Sequence, residues 1–171
     1  MHQKLKLTMY KVRVILDTKE DVIRTVLVNN AINLETLHFT IAKAFGFGGQ
    51  EMASFYRTDE EWNQGEEIPL FNMAEAGMGI SMATEVLHES LPEENHKLIY
   101  VYDFLHMWTF YVEVVEINNE KIIDSKIVLS VGEIPNEAPE KEFKAEDPEK
   151  DLDDDFNDEF DPFDDFDFNE Y

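Results

Sequence analysis

Asp103 and His106 stand three residues apart where two aromatic-rich segments meet, Tyr100-Val101-Tyr102 and Trp108-Thr109-Phe110-Tyr111. A carboxylate beside an imidazole can orient the ring and raise its basicity, which is what a general base or an activated nucleophile needs. This pair is the candidate catalytic unit of the chain. The same aspartate also suits a structural duty, because Asp at a strand end accepts backbone N–H bonds in the turn that follows. Among His2, His38, His88, His96 and His106 no pair has the i, i+4 spacing of a helical metal site. His38 is expected as a partly buried surface residue beside a helix stripe. Asp59-Glu60-Glu61 and Glu66-Glu67 flank Trp62 without the spacing of a calcium loop, so they read as a solvated turn. Gly46-Phe47-Gly48-Gly49 follows a helical pattern, whereas a phosphate cradle precedes one. No metal and no cofactor is expected.

The other chemistry on offer is recognition. Tyr100, Tyr102, Trp108, Phe110 and Tyr111 form an aromatic ladder on adjacent strands, mostly core and cross-strand pairing. Tyr102 or Trp108 would make a binding platform if either emerged on an open face. Further on, Phe156, Phe160, Phe163, Phe166 and Phe168 are set among Asp and Glu. Burying one Phe is worth about 1.5–3 kcal/mol, while ordering each residue costs about 1–2 kcal/mol. Five rings do not offset the ordering of such a segment without a partner. Residues 136–171 are therefore expected to be disordered when free and to gain order on a cationic, apolar-grooved surface.

These residues need a scaffold. Tyr10, Val12, Val14 and Leu16 alternate with Lys11, Arg13 and Asp17, the period of a half-buried strand. The polar run 17–21 turns it into a return strand over 22–28, a hairpin. Asn33 can cap the next helix, whose stripe is Leu34, Leu37, Ile41, Ala44 and Phe45, and Gly46 can end it. Short strands are expected over 53–57 and 68–71, with residues 63–65 in the loop between them. Residues 83–91 read as a short helix or an extended crossing. Strands over 97–103, 108–117 and 121–131 follow, the last two joined at Asn118-Asn119 as a C-terminal hairpin. Prolines at 135, 139 and 148 mark the exit from the fold. The fold class is α+β, a β-grasp-like roll with a mixed sheet on one main helix. Residues 1–8 form an N-terminal extension, 9–135 the domain and 136–171 the acidic tail.

Charge is uneven. The chain has 171 residues and a net charge of -24, and residues 133–171 hold 18 acids against 3 bases. Like-charge terminal runs commonly act as interaction arms. A surface this acidic is a poor direct partner for nucleic acid, whose phosphates call for Lys and Arg. Lys4, Lys6, Lys11 and Arg13 are the local exception. Cysteine is absent, which excludes disulfides and thiolate metal sites and fits a reducing cytoplasm. No run of 18 apolar residues predicts a membrane span.

Tyr100-Val101-Tyr102-Asp103-Phe104 followed by Trp108 resembles the Tyr-x-Tyr-Asp-Phe-Gly-Asp-x-Trp signature of the plasmid pRiA4b ORF-3-like family. The Tyr10-Lys11-Val12-Arg13-Val14 hairpin, Leu37, the Ala53-Ser54-Phe55-Tyr56 strand, Trp62 and the Gly65-to-Ile68 turn are similar too. The resemblance covers about residues 9–139 and leaves out the acidic tail. It implies an association with mobile DNA elements and no settled activity. Where the family has Gly-Asp this chain has Leu105-His106, and Phe110 stands where the family usually has His. The resulting expectation is a cytoplasmic, non-enzymatic interaction protein whose tail binds a basic protein partner, one that itself handles nucleic acid being a natural choice. The alternative is a hydrolase or nucleic-acid-modifying enzyme acting at Asp103 and its strand-end neighbours.

Overall fold

A computed structural model describes residues 8–72 and 79–139. The fold below belongs to the unit Met1–Ala138. β1 (Met9–Leu16) and β2 (Ile23–Asn29) pair antiparallel around the polar turn, with Val12 opposite Val26. On β1 the residues Tyr10, Val12, Val14 and Leu16 are buried, while Lys11 and Arg13 are half-buried on the other face.

α1 (Leu34–Ala44) starts where Asn33 Oδ1 accepts the Thr36 N–H at 2.8 Å. It stops at Gly46, which takes φ 84° and donates its N–H to the Lys43 carbonyl. That left-handed backbone suits glycine. Its buried face is Leu34, Leu37, His38, Ile41 and Ala42. His38 is fully buried, not at the surface as expected, because it finds a hydrogen-bond partner on the sheet beneath it.

β3 (Ala53–Thr58) and β4 (Gln64–Pro69) follow. β4 starts earlier than the sequence pattern suggested, so Gln64 and Gly65 are strand rather than loop. A solvated edge strand needs only one inward side chain, and here that is Ile68. A 3-10 turn (Met82–Thr84) and the single-turn α2 (Leu87–Ser90) fill the crossing, and the Leu34 N–H bonds to Glu85 O across it. β5 (Lys97–Tyr102) and β6 (Trp108–Asn118) form another hairpin, and β7 (Lys126–Val131) closes the chain of strands.

The seven strands lie in the order β4-β3-β5-β6-β1-β2-β7. Every ladder among the described residues is antiparallel, so the sheet is not mixed as expected of a β-grasp-like roll. The expected C-terminal hairpin is also absent. Both edges of β6 are occupied, by β5 and β1, so β7 crosses to the free edge of β2. The core lies between α1 and one sheet face, with Tyr10, Phe55, Tyr100 and Phe110 its largest fully buried side chains. No helix among the described residues is long and apolar enough to cross a membrane.

Candidate functional site

The β5–β6 turn carries the pair singled out by sequence. Asp103 takes φ 67° and Met107 φ 58°, two left-handed residues that let a five-residue turn close. The Asp103 carbonyl accepts the His106 N–H at 2.9 Å and the Met107 N–H at 2.6 Å, and its own N–H donates to Met52 O at 2.7 Å. Asp103 Oδ2 lies 2.8 Å from His106 Nδ1, and Oδ1 accepts the Leu105 N–H at 3.2 Å. Partial burial works to raise the Asp103 pKa. The His106 and Leu105 bonds work the other way and leave it below the usual carboxylate value. The dyad geometry and the turn-capping geometry therefore coexist in one residue.

The dyad is open to water, with the His106 side chain 57% exposed. Directly beneath it, Tyr102 and Trp108 face each other across the hairpin at 4% and 8% exposure. They form no open platform. Phe47 stacks on Tyr102 at 4.8 Å and meets Trp108 at 5.0 Å, so the loop after α1 covers both rings. Phe110 is fully buried, 4.7 Å from Phe45. A histidine at that position would sit in the core rather than beside Asp103.

Sequence reasoning missed the second polar pair. The Tyr100 hydroxyl is 2.6 Å from His38 Nδ1, and both residues are fully buried. Burial drives the His38 pKa down to about 4, with the Gly49 backbone acting in the opposite direction. Burial, and Tyr102 beside it, push Tyr100 up. Both groups are neutral at pH 7. Gly49 closes the arrangement by donating its N–H to the Tyr102 hydroxyl at 3.0 Å. No ordinary sequence signal joins positions 62 residues apart; the burial of a histidine on the helix stripe was the one available hint.

Several other charged groups are engaged with one another. A shallow cleft of about 640 Å³ lies at the opposite end of β3 and β5, lined in part by Arg57, Asp59, His96 and Lys97. Arg57 bonds Glu66 at 2.9 Å and Glu85 at 3.1 Å, and Lys97 lies 3.8 Å from Glu113 and 5.5 Å from the centre of the Trp62 ring. Asp59 accepts the Asn63 side-chain and backbone N–H groups, which hold its pKa low. Lys11 and Arg13 pair with Glu116 and Glu113, which neutralises that part of the one local cluster of bases. Among the described residues no group of three or more His, Asp or Glu could hold a metal ion. Phe156, Phe160, Phe163, Phe166 and Phe168 lie outside the described residues.

No curated protein matches the sequence. A crystal structure of a protein of unknown function from Methanosarcina mazei Go1 aligns with a TM-score of 0.59 at 16% identity, covering 72% of this chain and 69% of that one. At this identity the likeness is one of fold alone. The family described as plasmid pRiA4b ORF-3-like protein matches residues 8–169, a span that takes in the acidic segment the resemblance was expected to leave out. With the antiparallel sheet, the capped helix and the aromatic β5–β6 hairpin all inside that span, this chain belongs to the plasmid pRiA4b ORF-3-like protein family.

Proposed function

We propose that the chain is a cytoplasmic, non-enzymatic interaction protein that engages a basic protein partner through its acidic, phenylalanine-bearing C-terminal segment. The observation that carries this reading is the composition of residues 133–171, where 18 acids and 3 bases surround Phe156, Phe160, Phe163, Phe166 and Phe168. Charge alone would solubilise. Rings placed between the charges add the apolar contacts from which a bound state draws affinity. A partner that itself holds nucleic acid suits the segment, because its phosphate-binding groove is already cationic. Direct binding of nucleic acid by this chain has little support, since Lys11 and Arg13 are paired with glutamates. The test is affinity capture with the full-length chain and with a chain ending at Lys144. Association should weaken steeply from low to physiological salt and vanish on truncation. Capture of the same partners by the truncated chain refutes the reading.

The alternative, a hydrolase or nucleic-acid-modifying enzyme, draws on the 2.8 Å contact between Asp103 and His106. Purified protein would be assayed against generic phosphodiesters and esters beside Asp103→Asn. Equal background from the two proteins removes this alternative.

A further inference from the structure

Five large apolar side chains are exposed at one end of the sheet: Met52 at 37%, Phe71 at 53%, Phe104 at 42%, Leu105 at 85% and Met107 at 41%. The strand pairing brings the three stretches that carry them to the same end of the sheet. Ser54 pairs with Pro69 and the Leu70 N–H bonds to Ala53 O, which sets Phe71 beside Met52. The Asp103 N–H bonds to Met52 O, which joins both to the β5–β6 turn. Apolar residues scattered singly over a surface need no explanation, whereas a contiguous group marks an interaction site. Met107 adds weight. Its backbone takes φ 58°, a state that glycine adopts without strain and methionine does not.

The border of this group is acidic. Glu51 precedes Met52, and Asp103 sits inside the turn. The Asp17 N–H bonds to Thr109 O at 2.8 Å, which brings the β1–β2 turn alongside with Asp17, Glu20 and Asp21 against Lys19. The Asp17 carboxylate also engages Tyr111. His106, mostly exposed, is held by Asp103.

We propose that this end of the sheet is a docking surface for a cationic, apolar polypeptide segment of a partner protein. Its apolar residues would enter between Leu105, Phe104 and Met52, and its Lys or Arg side chains would face Glu51 and the β1–β2 turn. This places a contact on the folded body in addition to the C-terminal segment proposed above. The two ideas fail separately, because one is tested by side chains of the β5–β6 turn and the other by truncation.

The test uses the full-length chain and a synthetic 18-residue Lys/Leu peptide as probe, with Gln/Leu and Glu/Leu peptides of the same pattern as controls. Affinity is read by fluorescence anisotropy and the site by amide NMR shifts. The Lys/Leu peptide should shift the amides of Met52, Phe71 and residues 103–107, and Leu105→Ser should weaken it at least about tenfold. Met107→Gly should weaken binding while leaving thermal stability equal or higher, which separates docking from folding. Shifts confined to the acidic C-terminus, or unchanged affinity in both variants, overturn the proposal. Equal binding of the Gln/Leu peptide overturns the cationic requirement. Dimerisation of the free chain that Leu105→Ser abolishes also overturns it, since the occupant would then be a second copy.

Discussion

The Tyr100 hydroxyl on β5 lies 2.6 Å from His38 Nδ1 on α1, and this contact joins the helix to the sheet inside the core. Burial keeps the tyrosine protonated and the imidazole neutral, so the two share a hydrogen bond between uncharged groups, its direction set by the imidazole tautomer. The ring also packs at a tilt against two others, Phe39 at 4.6 Å and Tyr100 at 5.7 Å.

Acid should therefore weaken the fold through His38. Above the unfolded-state pKa of 6.5 the imidazole is neutral in both states and its environment costs nothing in protonation. As pH falls through 6.5 the unfolded chain takes up the proton, while the folded chain does so only near 4. Stability is lost across that window, up to about 3 kcal/mol by its lower end. His38→Gln should be less stable at pH 7, yet the gap between the two proteins should narrow as pH drops to 4.5. Urea denaturation at both pH values measures it, and a constant gap argues against the buried neutral histidine.

Trp108 and Tyr102 should behave as core. Trp108→Ala removes a ring packed against Phe47 and is expected to cost about 3–5 kcal/mol. Tyr102→Phe removes one hydrogen bond from the Gly49 N–H and should cost about 0.5–1.5 kcal/mol, with the fold intact. Calorimetric unfolding distinguishes these sizes. A Trp108→Ala protein as stable as the parent would place the ring at the surface.

Much of this architecture is legible in the sequence because its signals are local. The β1–β2 alternation, the Asn33 cap and the Gly46 stop each declare themselves within a few residues. The missed features depend on pairing between distant segments. The first part of β4, residues 64–67, falls outside the strand expected over 68–71 because its side chains face water on an edge strand. β7 reads as the partner of β6 because nothing in Lys126–Val131 reports that β6 is already flanked on both sides. The exposed apolar group at the sheet end draws on three separate stretches of chain, so no window contains it. Asp103 and His106, three residues apart, were found for the opposite reason.

Asp103 has two duties, and substitutions can separate them. Asn can keep the Leu105 N–H bond and tolerates the left-handed backbone, so Asp103→Asn should leave stability within about 0.5 kcal/mol. Ala cannot cap the turn and dislikes φ 67°, so Asp103→Ala should lose about 1–2 kcal/mol. Thermal melts of both variants provide the comparison. Equal losses would mean that the charge toward His106, rather than the cap, holds the turn.

Gly132 is where β7 is fastened to the rest of the sheet. Its φ is 78°, and a Cβ built there would stand 2.0 Å from the Asp21 carbonyl oxygen. The obstacle is backbone on both sides, so no side-chain rotation relieves it. Arg24 Nη1 binds the Val131 carbonyl at 3.0 Å and the Ile23 carbonyl at 2.9 Å, which leaves the strand end little room to move away. Gly132→Ala should cost at least about 2 kcal/mol, through clash and through strain at positive φ. β7 pairs on one side only, so the loss should fall there first: amide exchange over Ile127–Val131 should accelerate while Val12 and Val112 at the sheet centre stay protected. Uniform acceleration across all strands would instead make β7 an integral part of one cooperative unit, and unchanged exchange would contradict the close approach of Gly132 to Asp21.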